Sequence, residues 1–291
     1  MSLYILPFDH RGSFMRMINA NKNPTAKDIL KAKGYKRIIY DAFLFALENV
    51  KTITKKNSGI LVDEWLGKEI LIDANERTII TATTMEMSGQ KEFHFDQKDW
   101  KKQLQRLKPT YAKVLVRYNP EGDKKSNKRQ TKRLVILSKY LEKKKTKLLF
   151  ELLVPATTAQ LKKVNSKKNY DQKIRPQLMV KAIKELEKAG VKPDLWKLEG
   201  LYQTKLMQQV ADEIGNSKII VLGRGESERK ARLWVRKAAK VKKVVGFAVG
   251  RTIFQKPLEK YDQGKYSRQK TVKQIANNYI KFVKVFVKSK G

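Results

Sequence analysis

The stretch Pro193-Asp194-Leu195-Trp196-Lys197-Leu198-Glu199-Gly200 is a short apolar run with one lysine in its middle. A glycine closes the run and a helical pattern follows it, which indicates one strand-then-helix unit. Lysine is among the residues least often buried without a partner, so Lys197 needs a reason to lie in such a strand. It is either an amine nucleophile that forms a Schiff base with a carbonyl, or a lysine whose stem packs while its ammonium group reaches solvent.

The same pattern recurs along the 291 residues and predicts eight strand-then-helix units. The predicted strands are 5–8, 60–62, 78–83, 111–117, 148–154, 195–198, 219–222 and 244–249. The helices predicted after them are 35–50, 68–75, 97–107, 127–143, 176–189, 203–214, 227–239 and 271–286. Strands that alternate with helices form parallel sheets, and eight such units at this length are typical of a (β/α)₈ TIM barrel. We therefore predict an α/β fold with a single barrel domain over residues 1–291.

Composition favours a soluble, cytoplasmic protein. Hydrophobic residues make up 41% of the chain, enough for a large core, and there is no cysteine. The absence of cysteine excludes disulfides and thiol chemistry and fits a reducing compartment. The first residues lack the basic and apolar regions of a signal peptide, and no apolar run approaches the length of a membrane span. A homo-oligomer is compatible with these features.

The chain is strongly basic, with 65 Lys and Arg against 28 Asp and Glu and a net charge of +37. Such an excess suggests attraction to nucleic acid or to other anionic surfaces. The cations are spread over predicted helices and loops in 124–147, 162–173, 229–243 and 256–288. We therefore favour a general basic bias over a dedicated nucleic-acid site. A nucleic-acid-binding protein built on the same barrel is the alternative.

Polar residues gather at or near the predicted carboxyl ends of the strands, where barrel enzymes place their chemistry. They are Asp9, Arg11, Asp63, Glu86, Lys113, Arg117, Glu151, Lys197, Glu199, Arg224 and Arg251. Lys113, Glu151 and Lys197 each interrupt an apolar strand, and we expect these three to contact one another because buried charges need partners. A purely structural ion-pair network is the alternative to a catalytic group.

The last two predicted strands end in Gly223-Arg224-Gly225 and Gly250-Arg251. Glycines let backbone N–H groups approach a phosphate, arginine can bind it through two hydrogen bonds, and the loops after strands seven and eight often hold phosphate in TIM barrels. Ordinary turns are the alternative. With only His10 and His94 and no cysteine, a three-histidine zinc site is excluded and a carboxylate magnesium site is left open. We expect no metal and no cofactor.

Several motifs, in order along nearly the whole chain, resemble the Schiff-base (class I) aldolases of the tagatose-bisphosphate aldolase type. The resemblance is strongest to the aldolase-like domain of myo-inositol catabolism. The motifs are FDHRG at 8–12, LVDEWLG at 61–67, EMSG at 86–89, KVLVRYNPEGD at 113–123, FELLVPA at 150–156, DLWKLEG at 194–200, VLGRGE at 221–226 and GFAVGRTIF at 246–254. The resemblance implies cleavage of a phosphorylated sugar, such as 5-dehydro-2-deoxy-gluconate 6-phosphate to dihydroxyacetone phosphate and malonate semialdehyde. A related barrel enzyme that uses the same lysine for another sugar-phosphate reaction, such as dehydration or isomerisation, is the alternative, because one fold can support several chemistries.

The resemblance also implies roles for individual residues. Lys197 would form the Schiff base and Glu151 would be the acid and base, with Lys113, Glu86 and Asp9 beside them. The residues implied to bind phosphate or substrate are Arg11, Arg117, Arg224, Gly225, Gly250 and Arg251. Met87 stands where these aldolases usually have lysine, and the loop around Arg224 differs from that of the tagatose enzymes.

Overall fold

The computed structural model describes residues 2–18 and 23–291, and its strands close into a parallel barrel in sequence order. The strands are β1 Leu3–Pro7, β2 Ser58–Val62, β3 Ile80–Thr84, β4 Tyr111–Arg117, β5 Lys147–Leu153, β6 Leu195–Glu199, β7 Lys218–Leu222 and β8 Val244–Ala248. Each strand pairs with the next, and β8 pairs with β1. The predicted (β/α)₈ TIM barrel is confirmed.

Helices surround the barrel. They are α1 Gly12–Met17, α2 Ala26–Asn49, α3 Glu64–Glu76, α4 Trp100–Leu107, α5 Lys124–Lys144, α6 Thr158–Val164, α7 Lys167–Asn169, α8 Arg175–Lys188, α9 Thr204–Asp212, α10 Glu228–Ala239, α11 Arg251–Asp262 and α12 Arg268–Lys290. A π-helical turn, Tyr170–Ile174, joins α7 to α8. In the described part of the chain, no helix combines the length and apolar character needed to cross a membrane.

Both faces of the strands are buried, which explains their nearly continuous apolar sequences. One face fills the floor of the barrel, and the other packs on the helices, as where Phe150 and Trp196 place their ring centroids 4.9 Å apart. The floor residues are Leu3, Ile5, Leu61, Ala82, Leu149, Leu195, Ile220 and Ala248. The charged residues that interrupt the inward face, Lys113 on β4, Glu151 on β5 and Lys197 on β6, line the cavity above this floor.

The barrel closes where β8 meets β1, and glycine is required there. A Cβ atom on Gly246 would lie 1.6 Å from the carbonyl oxygen of Leu3. Any side chain would therefore force the two strands apart.

Several element boundaries differ from those predicted. β3 begins at Ile80 because Thr78 adopts a left-handed φ of 57°. α3 begins at Glu64 because the Asp63 carboxylate accepts a hydrogen bond from Leu66 N at 3.0 Å and caps the helix. α2 begins at Ala26, after a capping box formed by Thr25 and Asp28.

Other differences concern helices that the sequence analysis did not predict. They are α1, α6, α7 and α11. The first three are short, and α11 contains Pro257, which interrupts the helical pattern.

Candidate active site

An open cavity of about 360 Å³ lies at the carboxyl ends of the strands. Its walls include every residue to which the family resemblance gave a role. These residues are Asp9, Arg11, Glu86, Lys113, Arg117, Glu151, Lys197, Arg224, Gly225, Gly250 and Arg251. They come from seven of the eight strands or the loops after them, so the barrel closure brings them together. Asp63 and Glu199, which were also expected near the mouth, do not line the cavity and pair instead with Lys36 and Arg224.

Glu151 lies at the centre of the polar cluster and contacts both lysines. Lys197 Nζ donates to Glu151 Oε2 at 2.8 Å, and Lys113 Nζ lies 3.0 Å from the same oxygen. The register explains the first contact, because Glu151 on β5 pairs directly with Lys197 on β6. All three residues are buried. The contact predicted among them is present, and both lysines point into the barrel.

The ammonium group of Lys113 lies among three carboxylates. Besides Glu151, it donates to Asp9 Oδ2 at 2.8 Å and to Glu86 Oε1 at 2.6 Å. Burial alone would lower the pKa of Lys113, but the three negative charges outweigh it and raise that pKa well above its ordinary value. Lys113 is therefore a permanent cation in the cluster.

The three carboxylates differ in their electrostatic surroundings. Burial favours the protonated form of each, but Lys113 and Lys197 outweigh it at Asp9 and Glu151 and lower both pKa values. At Glu86, burial wins over the attraction of Lys113 and Arg11, so its pKa is raised. Glu86 Oε2 is also buried without a hydrogen-bond partner among the described residues, and Glu86 lines the cavity.

His10 lies between the cluster and α11. Its ring packs edge-on against Phe254, with the centroids 6.0 Å apart. Burial lowers the pKa of His10 to about 4, against the opposing effect of Asp9. His10 is therefore neutral near pH 7. Across residues 2–18 and 23–291, no three His, Cys, Asp or Glu side chains are grouped in a way that could hold a metal ion.

Two arginines contact the loop after β3. Arg11 donates to the carbonyl oxygen of Glu86 and forms an ion pair with Asp96 at 2.9 Å. Arg117, at the end of β4, donates to the carbonyl oxygen of Gln90 at 2.8 Å. Arg117 pairs with no carboxylate in the described ranges, so its charge can meet a ligand.

Two glycines, one after β7 and one after β8, leave room for neighbouring groups to pack closely around Arg251. A Cβ on Gly250 would lie 2.3 Å from the Pro7 carbonyl oxygen, and one on Gly225 would lie 2.5 Å from the Arg251 guanidinium. Arg251 begins α11, whose first N–H groups also favour an anion. Arg224 differs: its guanidinium is held by Glu199 at 2.7 Å and Asp171 at 2.8 Å.

The cavity also contains polar residues that sequence reasoning missed. They are Ser13, Arg16, Ser88, Gln90 and Glu92. Ser13 and Arg16 lie on α1, which begins at the last residue of the FDHRG motif, and this proximity was the available signal. Ser88 belongs to the EMSG motif. Met87 also lines the cavity and is 41% exposed there.

Comparisons with known proteins place this barrel in a family. The model of a family described as "Uncharacterized protein conserved in bacteria (DUF2090)" matches residues 1–290, so the chain belongs to that family. A comparison with curated proteins found no match.

Solved structures share the fold at low sequence identity. A Schiff-base-forming fructose-1,6-bisphosphate aldolase is 14% identical, with a TM-score of 0.59 and coverage of 97% of this chain and 94% of that one. An archaeal fructose-1,6-bisphosphate aldolase, solved with its catalytic lysine bound to a carbinolamine intermediate, is 12% identical, with a TM-score of 0.62 and coverage of 100% and 94%. Class I aldolases are thus structural neighbours of this barrel.

Proposed function

We propose that the protein is a Schiff-base-forming aldolase-type lyase that cleaves a carbon–carbon bond in a phosphorylated keto sugar. The observation that carries the proposal is the buried pair Lys197–Glu151, which opens into a cavity at the carboxyl ends of the strands. A nucleophilic amine needs an adjacent group that accepts and returns protons, and Glu151 Oε2 lies within that reach.

The two lysines are suited to different tasks. Lys113 is held by three carboxylates and stays charged, so it orients Glu151. Lys197 contacts Glu151 and, in the described part of the chain, makes no other hydrogen bond or ion pair. Its side chain is therefore the one free to reach a bound carbonyl.

The covalent chemistry begins when Lys197 gives a proton to Glu151 and its nitrogen bonds to the substrate carbonyl carbon. The proton that leaves nitrogen moves to the carbonyl oxygen and gives a carbinolamine. Glu151 then returns its proton to the carbinolamine hydroxyl, which leaves as water, and a protonated imine remains.

The protonated imine supplies the electron sink for cleavage. When the carbon–carbon bond breaks, its electron pair moves into an enamine on Lys197. The hydroxyl of the departing fragment loses its proton to Glu151 and leaves as an aldehyde. Protonation of the enamine carbon and addition of water then release the second product and restore the free amine.

The arginines favour a substrate with an anionic group at each end. Arg251 follows β8 and Arg117 ends β4, which lies on the opposite side of an eight-stranded closed barrel. Arg251 with Gly225 and Gly250 would bind the phosphate, and Arg117 a second anion. The substrate suggested by the family resemblance, 5-dehydro-2-deoxy-gluconate 6-phosphate, has a phosphate and a carboxylate at its two ends. Binding at these ends orients the bond that breaks.

The test combines cleavage assays with borohydride reduction. The protein is incubated with a panel of phosphorylated ketoses and keto sugar acids, and aldehyde release and irreversible inactivation by borohydride are both measured. At least one compound should be cleaved and should promote inactivation. Lys197→Ala should lose both effects while remaining folded, whereas Lys143→Ala on the surface should keep both. Inactivation of Lys197→Ala at the wild-type rate would exclude the proposed nucleophile.

A further inference from the structure

We infer that Arg224 is a positioning residue that holds Arg251 in its phosphate-binding orientation and does not itself bind the phosphate. The role rests on the proposed function, in which Arg251 binds a substrate phosphate. It changes the role that the family resemblance implied for Arg224, and three observations support it.

First, the guanidinium of Arg224 is already surrounded by carboxylates. Nη1 donates to Glu199 Oε1 at 2.7 Å and to Asp171 Oδ1 at 3.2 Å. Nη2 donates to Asp171 Oδ2 at 2.8 Å and lies 3.1 Å from Glu226 Oε1. A phosphate at this guanidinium would have to displace these bonds and approach negative charges, which is unfavourable in a partly buried site.

Second, the carboxylates that hold Arg224 come from firmly placed elements. Glu199 ends β6, two residues after Lys197 on the same strand. Asp171 lies in the π-helical turn and is also bound by Arg175 Nε at 3.0 Å. Arg175 is fully buried and donates to the carbonyl oxygen of Gly200 at 3.1 Å. The anchor of Arg224 is therefore connected to the strand that carries Lys197.

Third, the guanidinium of Arg251 packs on the backbone of Arg224 and Gly225, and Arg224 fixes the conformation of that backbone. It adopts a left-handed φ of 52°, which costs free energy for a residue other than glycine and persists where surrounding contacts enforce it. Its carbonyl oxygen accepts a hydrogen bond from Arg251 Nη2 at 3.3 Å. The guanidinium of Arg251 also lies directly over Gly225, the next residue. Fixing Arg224 thus fixes the surface that orients Arg251.

A double-mutant cycle with inorganic phosphate as the probe tests this role. Phosphate affinity is measured by calorimetry for wild type, Arg224→Gln, Arg251→Gln and the double variant. Each single change should weaken binding roughly tenfold, the scale of one hydrogen bond to a charged group. The double variant should bind no more weakly than Arg251→Gln, because Arg224 acts through Arg251. Losses that multiply to roughly a hundredfold would show independent contacts and overturn the role.

Asp171→Asn provides a second test that does not depend on the folding of Arg224→Gln. This change removes one charge that holds Arg224. If Arg224 only positions Arg251, phosphate binding should weaken. If Arg224 bound phosphate directly, loss of the competing charge would strengthen binding, and that result would contradict the inference.

Arg229→Gln is the matched control. Arg229 is exposed on α10 in the same region and forms no ion pair among the described residues, so its replacement removes one positive charge without disturbing the carboxylates that hold Arg224. Phosphate affinity should change less than twofold at physiological salt, as expected for screened surface charge. A loss equal to that of Arg224→Gln would assign the effect to net charge and overturn the role. Borohydride trapping is independent of all these measurements, so failure of the proposed chemistry would be seen separately.

Discussion

Lys113 and Lys197 point at the same oxygen, Glu151 Oε2, at 3.0 and 2.8 Å. The two lysines are nevertheless unequal, because Lys113 is also bound to Asp9 and Glu86. A carboxylate shared in this way has one fixed cation and one that can leave. This asymmetry is the basis of the proposed division between an orienting lysine and a nucleophilic one.

Glu151→Gln should separate imine formation from turnover. Glutamine keeps the shape of the side chain and a hydrogen-bonding oxygen but cannot move protons between Lys197 and the substrate. We expect turnover to fall by about 10²- to 10⁴-fold, the usual contribution of a general acid–base group. Borohydride trapping should become slower but persist. Steady-state and single-turnover kinetics measure the two effects, and wild-type turnover in this variant would remove Glu151 from the mechanism.

His10→Gln should change how stability depends on pH. The pKa of His10 is lowered from 6.5 to about 4 by burial, so between these values the unfolded chain binds more protons than the folded one. The contribution of His10 therefore lowers stability as the pH drops from about 6.5, and it lowers stability no further below a pH of about 4. The charged groups around His10 are Asp9, Arg251, Lys197 and Lys36.

The measurement is urea unfolding of wild type and His10→Gln between pH 7 and pH 4. As the pH falls over this range, the free energy of unfolding of wild type should decrease relative to that of His10→Gln, by at most about 3 kcal/mol. Other titrating groups contribute to both proteins, so the difference isolates His10. A difference that does not change with pH would show that His10 titrates normally.

Arg251→Lys should raise the KM for the phosphorylated substrate with little effect on kcat. Lysine keeps the charge but loses the two-pronged guanidinium. Replacing Lys143 and Lys144, which end α5 far from the mouth, by glutamine should change only the salt dependence of the rate. Kinetics at two ionic strengths compare the variants. The phosphate-site assignment would be contradicted if Arg251→Lys kept the wild-type KM while the surface variant lost substrate affinity at both ionic strengths. That result would favour the nucleic-acid interpretation.

Asp63→Asn should destabilise the protein through Lys36. Lys36 of α2 is fully buried and forms an ion pair with Asp63, and burial lowers its pKa despite that partner. Asparagine can still cap α3 but leaves a buried ammonium without its countercharge, which typically costs about 3–5 kcal/mol.

Two further variants make this prediction specific. Adding Lys36→Met to Asp63→Asn should restore most of the lost free energy of unfolding, because no unpaired charge remains. Arg37→Met, which breaks the exposed neighbouring pair with Asp41, should cost less than about 1 kcal/mol. Denaturant unfolding measures all three, and equal losses in Arg37→Met and Asp63→Asn would contradict the account.

The barrel could be predicted because its signal is periodic and repeated. Each apolar strand followed by a helical pattern supports the same topology, so errors of a few residues at Thr78 or Asp63 do not change it. The contact of Lys113, Glu151 and Lys197 was also predictable, because a charge inside an apolar strand must face a partner on a neighbouring strand. Local sequence and topology were sufficient for both.

The remaining interactions depend on contacts between distant segments. Arg224 meets Asp171, 53 positions away, through a π-helical turn that no sequence period indicates. Lys36 looks like one more lysine in a basic amphipathic helix, and only packing shows that it is buried against Asp63. The chain has 65 Lys and Arg residues, and the local sequence does not distinguish the few that have specific partners from the others.

The central claim is that Lys197 is the nucleophile, and the most direct test is mass mapping of the borohydride-reduced adduct. With a substrate found in the cleavage assay, we expect one added fragment per chain, located on Lys197 in the peptide from β6. Lys197→Arg should give no adduct. An adduct on Lys113 or on a surface lysine, or an undiminished adduct in Lys197→Arg, would contradict the account.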